Sequence, residues 1–233
     1  EQPRFHQGWF GDVPVVARGH GRRSPKSVDE ILAGHAHQIL VAAVPVEDDN
    51  LFQALGRRPN TAGLDLDKAK VHVGDNGISV DAEMRTHQPH IFAVGDVNGI
   101  HEIVHIAIQQ AEVAGYNATH TDAPQRGVDK RLTMEVTFTD PQVASVGPSM
   151  ADLQGRGVDL LSAEYPFDDH GKSILMEATY GYVRVWADAR TGVVRGAECV
   201  GKDAAELIHA MAVGVALDAR VPDLLKTHWY HPT

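Results

Sequence analysis

Thr86-His87-Gln88-Pro89-His90-Ile91-Phe92-Ala93-Val94-Gly95-Asp96 passes from a polar, proline-bearing entry into four apolar residues and stops on glycine and aspartate. A short apolar run bounded in this way reads as a buried strand, Ile91–Val94. Glycine at its carboxyl end lets the backbone approach a ligand closely. The aspartate beside it can accept hydrogen bonds from a ribose or ribitol hydroxyl. An ordinary strand followed by a Gly-Asp turn has the same spelling, so the flanking residues decide between the two.

Downstream, Ile100, Ile103, Val104, Ala107, Ile108 and Ala111 recur at helical spacing. This predicts a helix over residues 100–118 with that set as its buried face. Upstream, Val71–Val73 and Ile78–Val80 flank Asp75-Asn76-Gly77, the spelling of a hairpin. Strand, Gly-Asp turn and helix in succession are the elements of an α/β region. Residues 121–130, with Pro124 and Gly127, read as a linker.

The order of elements then changes. Met134–Phe138 and Val143–Val146 are strand candidates around Asp140-Pro141. Ser149 with Asp152 caps a short helix ending near Gly155. Tyr182–Ala187 alternates, turns through Asp188–Gly192 and returns as Val193–Val200. Asp203 with Glu206 opens another helix with Leu207, Ile208, Met211 and Val215 on one face, and Pro222 starts a last one. Strands and helices without βαβ alternation make this an α+β domain. The first 55 residues are less legible: Val13–Ala17 and Ile39–Val44 are strand-like, and glycines and Pro45 break the rest.

With 43% hydrophobic and 22% charged residues in mixed order, the chain has the composition of a globular protein. A net charge of −10 argues against a nucleic-acid partner, which needs a surplus of Lys and Arg to neutralise phosphates. No apolar run approaches the roughly 20 residues of a membrane span. Glu1–Arg4 begins no secretory signal, so a cytoplasmic location is expected. The single cysteine, Cys199, excludes a dithiol pair within the chain and reads as a small buried side chain in a strand.

The motif ending in Gly95-Asp96 resembles the second flavin-binding motif of the pyridine nucleotide–disulfide oxidoreductases, the family of dihydrolipoamide dehydrogenase, glutathione reductase and mercuric reductase. Three further segments agree, in family order. Gly56-Arg57-Arg58-Pro59-Asn60-Thr61 resembles the loop returning from the NAD domain to the FAD domain. Phe138-Thr139-Asp140-Pro141-Gln142-Val143-Ala144-Ser145-Val146-Gly147 resembles the opening of the interface domain. Tyr230-His231-Pro232-Thr233 resembles the start of the His-Pro-Thr active-site motif.

The resemblance implies an α/β nucleotide-binding region, a partial FAD/NAD(P)-binding domain, followed by an α+β dimerisation domain with an antiparallel sheet. It divides the chain into a remnant of the NAD(P)-binding region (residues 1–61), the C-terminal part of the FAD-binding domain (62–122) and the interface domain (129–233). It makes Gly95 and Asp96 flavin contacts, with Asp96 on the ribitol, and sets Val104 and His105 near the flavin ring. Gly56 is the candidate NAD(P) contact, and His231 is the general base that handles thiol protons at the disulfide of the other subunit, which requires a homodimer. FAD and NAD(P) are the implied cofactors, and a small disulfide or lipoyl compound the implied substrate. The family's first FAD segment and redox cysteine pair would lie upstream of this segment, and the glutamate that orients the histidine would fall beyond Thr233. Residues 46–55 look like an insertion relative to the family.

Two rival signals exist. His101-Glu102-Ile103-Val104-His105 matches the pattern of zinc hydrolases, in which histidines one helical turn apart bind metal and the glutamate activates water. No third ligand follows at a useful spacing, so no metal site is expected. Gly19-His20-Gly21-Arg22-Arg23-Ser24 follows a strand-like run as a dinucleotide loop would, but it lacks the third glycine and runs into Pro25. A fragment that serves only for association, without catalysis, is the remaining alternative.

Overall fold

The computed structural model describes residues 56–233 and, before them, only the antiparallel backbone pair β1 (Trp9–Phe10) and β2 (Val13–Pro14). The expected strand Ile39–Val44, the residue 46–55 insertion and the Gly19–Ser24 loop lie outside the described residues. Two compact units hold the remainder, Arg57–Asp129 and a second one containing Lys130–Thr233.

In the first unit, β3 (Val73–Gly74) pairs antiparallel with β4 (Gly77–Ile78). The hairpin is therefore present and shorter than expected. Gly77 takes φ 119°, and a Cβ there would lie 2.6 Å from the Val97 carbonyl oxygen, so both conformation and space demand glycine. Val71, Ile78 and Ala93 form one small core, and Met84, Val113 and Ala114 another. The expected strand Ile91–Val94 is reduced to a single bridge between Arg85 and Phe92. Its neighbour is the short antiparallel segment around Arg85, where the Thr86 N–H donates to the Ile91 carbonyl and the Ala93 N–H to the Met84 carbonyl, too brief a pairing to extend into a full strand.

A 3₁₀ turn, Gly95–Asn98, leads into helix α1, Val104–Thr119. The helix begins four residues later than the spacing predicts, and its buried face differs from the expected one. Ile106, Gln110, Val113, Ala114 and Asn117 face inward, while Val104 is 78% and Ile108 55% exposed. Counting periodicity through non-helical residues 100–103 shifted the phase. Two buried amides then made the true inner face look polar. Asn117 ties the unit together: its side chain donates to the carbonyls of Glu83 and Arg126 and accepts from the Arg126 N–H.

In the second unit, β5 (Met134–Thr137), β6 (Gln142–Val146), β7 (Leu160–Pro166), β8 (Tyr182–Asp188) and β9 (Val194–Gly201) form one antiparallel sheet in the order β5-β6-β9-β8-β7. Helix α2, Met150–Gly155, is capped as expected by the Ser149 hydroxyl, which accepts from the Asp152 N–H. The strand β7 and helix α3, Gly171–Leu175, are additions to the sequence reading. Helix α4 spans Ala204–Ala216 and α5 spans Val221–Leu224. Asp203 precedes α4 in the left-handed region without a side-chain capping bond, so the expected cap is not made. Ile208 and Val215 are buried against the sheet, whereas Leu207, expected on that face, is half-exposed.

Strand alternation sorts the sheet into two faces. Ala144, Val146, Val194, Ala197 and Cys199 meet Ala204, Ile208 and Val215 of α4 in the main core. The register places Glu135, Ser145, Glu198, Arg184 and Glu164 in one row across the five strands on the other face. Beside that row, Gly196 gives the Trp186 indole its place, since a Cβ there would lie 2.6 Å from the ring.

The β8–β9 turn is organised by Asp188. Its Oδ1 accepts from the Thr191 N–H and hydroxyl, each at 2.8 Å, and Arg195 lies 3.2 Å from Oδ2. Those Thr191 bonds, with Arg195 behind them, hold the carboxyl down at about 2. A depressed carboxyl stabilises the fold above its unfolded value near ~4, and the contribution disappears as pH falls through about 2. Urea midpoints measured across that window should therefore fall more steeply for the parent protein than for Asp188→Asn. Parallel slopes would show that the turn does not carry the effect.

Candidate functional site

The Gly95–Asn98 turn sits directly on α1. Gly95 takes φ 70°, and a Cβ there would stand 3.3 Å from the Ala107 Cβ. Its N–H donates to Gln110 Oε1 at 2.7 Å. Asn98 donates to the same oxygen at 2.8 Å and to the Ala93 carbonyl, and its own Oδ1 accepts from the Ile100 N–H. Asp96, one residue after the pinned glycine, points its carboxylate to solvent. No described residue donates a hydrogen bond to that carboxylate, so its lone pairs are available to a polyol hydroxyl. A flavin ribitol therefore fits the residues present here.

Val104 and His105 form the exposed first turn of α1. With Ile108 four residues on, Val104 makes an apolar strip beside the imidazole, a surface suited to the edge of an aromatic ring. The zinc pattern loses its geometry. His101 and Glu102 precede the helix, so the two histidines are not stacked one turn apart on it. Glu102 pairs instead with Arg57, at 2.6 Å, and among the described residues no group of acidic, histidine or cysteine side chains is arranged to hold a metal. Gly56 begins the described stretch with φ 97° in an irregular loop.

His231 belongs to the second unit and is exposed. Its ring lies over Gly171 at the start of α3, where a Cβ would be 3.9 Å from Cε1. The tail that carries it is tied by Trp229 Nε1 to the Leu224 carbonyl at 3.2 Å and by the Thr233 hydroxyl to the Tyr230 carbonyl at 2.6 Å. Cys199 lies at the centre of the sheet, fully buried, and burial pushes its thiol up to about 12. A thiol in that state is a packing group rather than a nucleophile. Residues missed by sequence reasoning are Gln110 and Asn98, whose polar side chains gave no motif to find.

The described residues thus comprise a glycine-aspartate turn seated on a long helix and, after it, a helix-backed antiparallel sheet. The description "pyridine nucleotide-disulphide oxidoreductase" matches residues 23–111, and that family's dimerisation domain matches residues 133–233. The chain belongs to the class I pyridine nucleotide–disulfide oxidoreductases.

It is 34% identical over 192 residues to the dihydrolipoyl dehydrogenase of Mycobacterium tuberculosis, covering 82% of this chain and 41% of the relative. Dihydrolipoyl dehydrogenase 3 of Haloarcula marismortui is 32% identical over 230 residues, covering 98% and 46%. The chain thus spans less than half the length of these curated relatives. Among solved structures, LpdA from M. tuberculosis superposes with a TM-score of 0.69 at 29% identity, over 77% of this chain and 39% of that one. The HOCl-induced flavoprotein disulfide reductase RclA from Escherichia coli shares the fold at a TM-score of 0.66 and 23% identity, over 77% and 41%. No helix among the described residues is long and apolar enough to cross a membrane.

Proposed function

We propose that this chain is the C-terminal portion of a dihydrolipoamide dehydrogenase-like enzyme that passes an electron pair between a dithiol–disulfide substrate and NAD(P) by way of FAD. The observation that carries the reading is the solvent-facing Asp96 carboxylate on a turn whose backbone is held from behind. In this role Asp96 accepts from a ribitol hydroxyl, and Gly95 keeps the backbone close to the cofactor. Val104 and His105 lie beside the flavin ring, and Gly56 is the NAD(P) contact. His231 takes and returns the thiol proton at the redox disulfide of the partner subunit, in a homodimer built through the C-terminal domain. FAD supplies the relay between two-electron donors and acceptors. The chain's only cysteine is Cys199, so the redox dithiol comes from outside this segment. The substrate is a small disulfide or lipoyl compound, and the location is cytoplasmic.

Visible absorbance of the purified natural protein tests this reading. Flavin bands should copurify, and Asp96→Ala should weaken FAD binding about tenfold or more, as loss of a hydrogen bond to a charged acceptor does. A colourless dimer that takes up no added FAD would replace it with the association-only alternative.

A further inference from the structure

Gln110 is 1% exposed, and its Oε1 alone receives both the Gly95 N–H and the Asn98 amide. No motif accounts for a buried amide on the inner face of α1. A polar side chain is retained in such a place only where its bonds are made, and both bonds go to the turn that bears Asp96. The glycine it grips stands at φ 70°, a conformation that an unrestrained turn readily leaves. Asn98 completes the grip by reaching back to the Ala93 carbonyl and forward to the Ile100 N–H, so the residues on both sides of Asp96 are fixed.

We propose that Gln110 is a positioning residue of the flavin site, acting through Gly95 and Asn98 to hold the Asp96 carboxylate where a cofactor hydroxyl meets it. This rests on the assignment of Asp96 to the flavin. The chemistry required at position 110 is narrow: an acceptor oxygen at the end of a chain of glutamine's length. Glutamate supplies it, and methionine has similar length and volume without it.

The experiment compares Gln110→Met, Gln110→Glu and Asp96→Ala in the FAD-loaded protein, reading the FAD dissociation constant, the thermal midpoint and amide hydrogen exchange at Gly95. Gln110→Met should weaken FAD binding about tenfold, in line with two unsatisfied buried donors, and speed Gly95 exchange by a similar factor. Gln110→Glu should restore both to near the parent values. If Gln110→Met fails to fold, Asn98→Ala carries the same test with a smaller disturbance. Weakening by Asp96→Ala without weakening by Gln110→Met or Asn98→Ala overturns the positioning role. Faster Gly95 exchange with FAD affinity unchanged in every variant, Asp96→Ala included, overturns the flavin assignment and leaves the grip on the turn standing.

Discussion

On the proposed function, alanine at His231 should lower turnover of the dimer by about 10²–10⁴-fold while FAD content and dimerisation stay at parent levels. Thiol–disulfide exchange proceeds through a thiolate, so a group that takes the thiol proton near neutral pH governs its rate, and imidazole is the side chain whose ordinary titration lies there. The surroundings of His231 within its own unit are compatible with the proposed role. The ring is exposed, it lies over Gly171 at the start of α3, and the tail is tied at Trp229 and Thr233. Unchanged FAD content and dimerisation in the alanine variant, with the loss confined to turnover, separate this from a structural effect. Turnover within about twofold of the parent would remove His231 from the chemistry.

The legible parts of this sequence are those in which one physical requirement acts on consecutive residues. Gly95-Asp96 stands out because positive φ and close approach both select glycine, and an apolar run delivers it. The hairpin β8–β9 stands out because alternation and the Asp188–Gly192 turn agree. Helix α1 was found, but its inner face was not, since Gln110 and Asn117 sit where periodicity expects leucine or valine. Their value lies in partners 9 to 34 residues away, which no local pattern records. Strand β7 escaped for the opposite reason. It is the edge of the sheet, nearly all its residues are half-exposed or more, and an alternating signal fades when neither face is buried. The reading of His231 rests on resemblance alone, because a lone histidine carries no spacing of its own.

Methionine at Arg184 should destabilise the C-terminal domain by about 3 kcal/mol, the cost of removing a guanidinium from beside a buried carboxylate. Glu198 is 3% exposed on the sheet face opposite α4, and Arg184 meets it at 2.7 Å across the β8–β9 pair. The same guanidinium reaches Glu164 on the edge strand through Nε at 3.0 Å, so one cation spans three strands of the polar row. Tyr182 donates to Glu198 at 2.9 Å, and burial, reinforced by the Glu198 charge, pushes its phenol well up, which keeps it a donor throughout the neutral range. A hydroxyl donor cannot neutralise a carboxylate in this position, so the loss of Arg184 takes a full positive charge from beside Glu198. Glu198→Gln removes the charge while leaving an acceptor for Tyr182. The double variant Arg184→Met with Glu198→Gln should therefore recover more than half of the lost denaturant midpoint, a coupling that independent sites would not show. If Arg184→Met costs no more than an exposed ion pair, under about 1 kcal/mol, the charge of Glu198 is balanced elsewhere and the polar row is not held by its arginine.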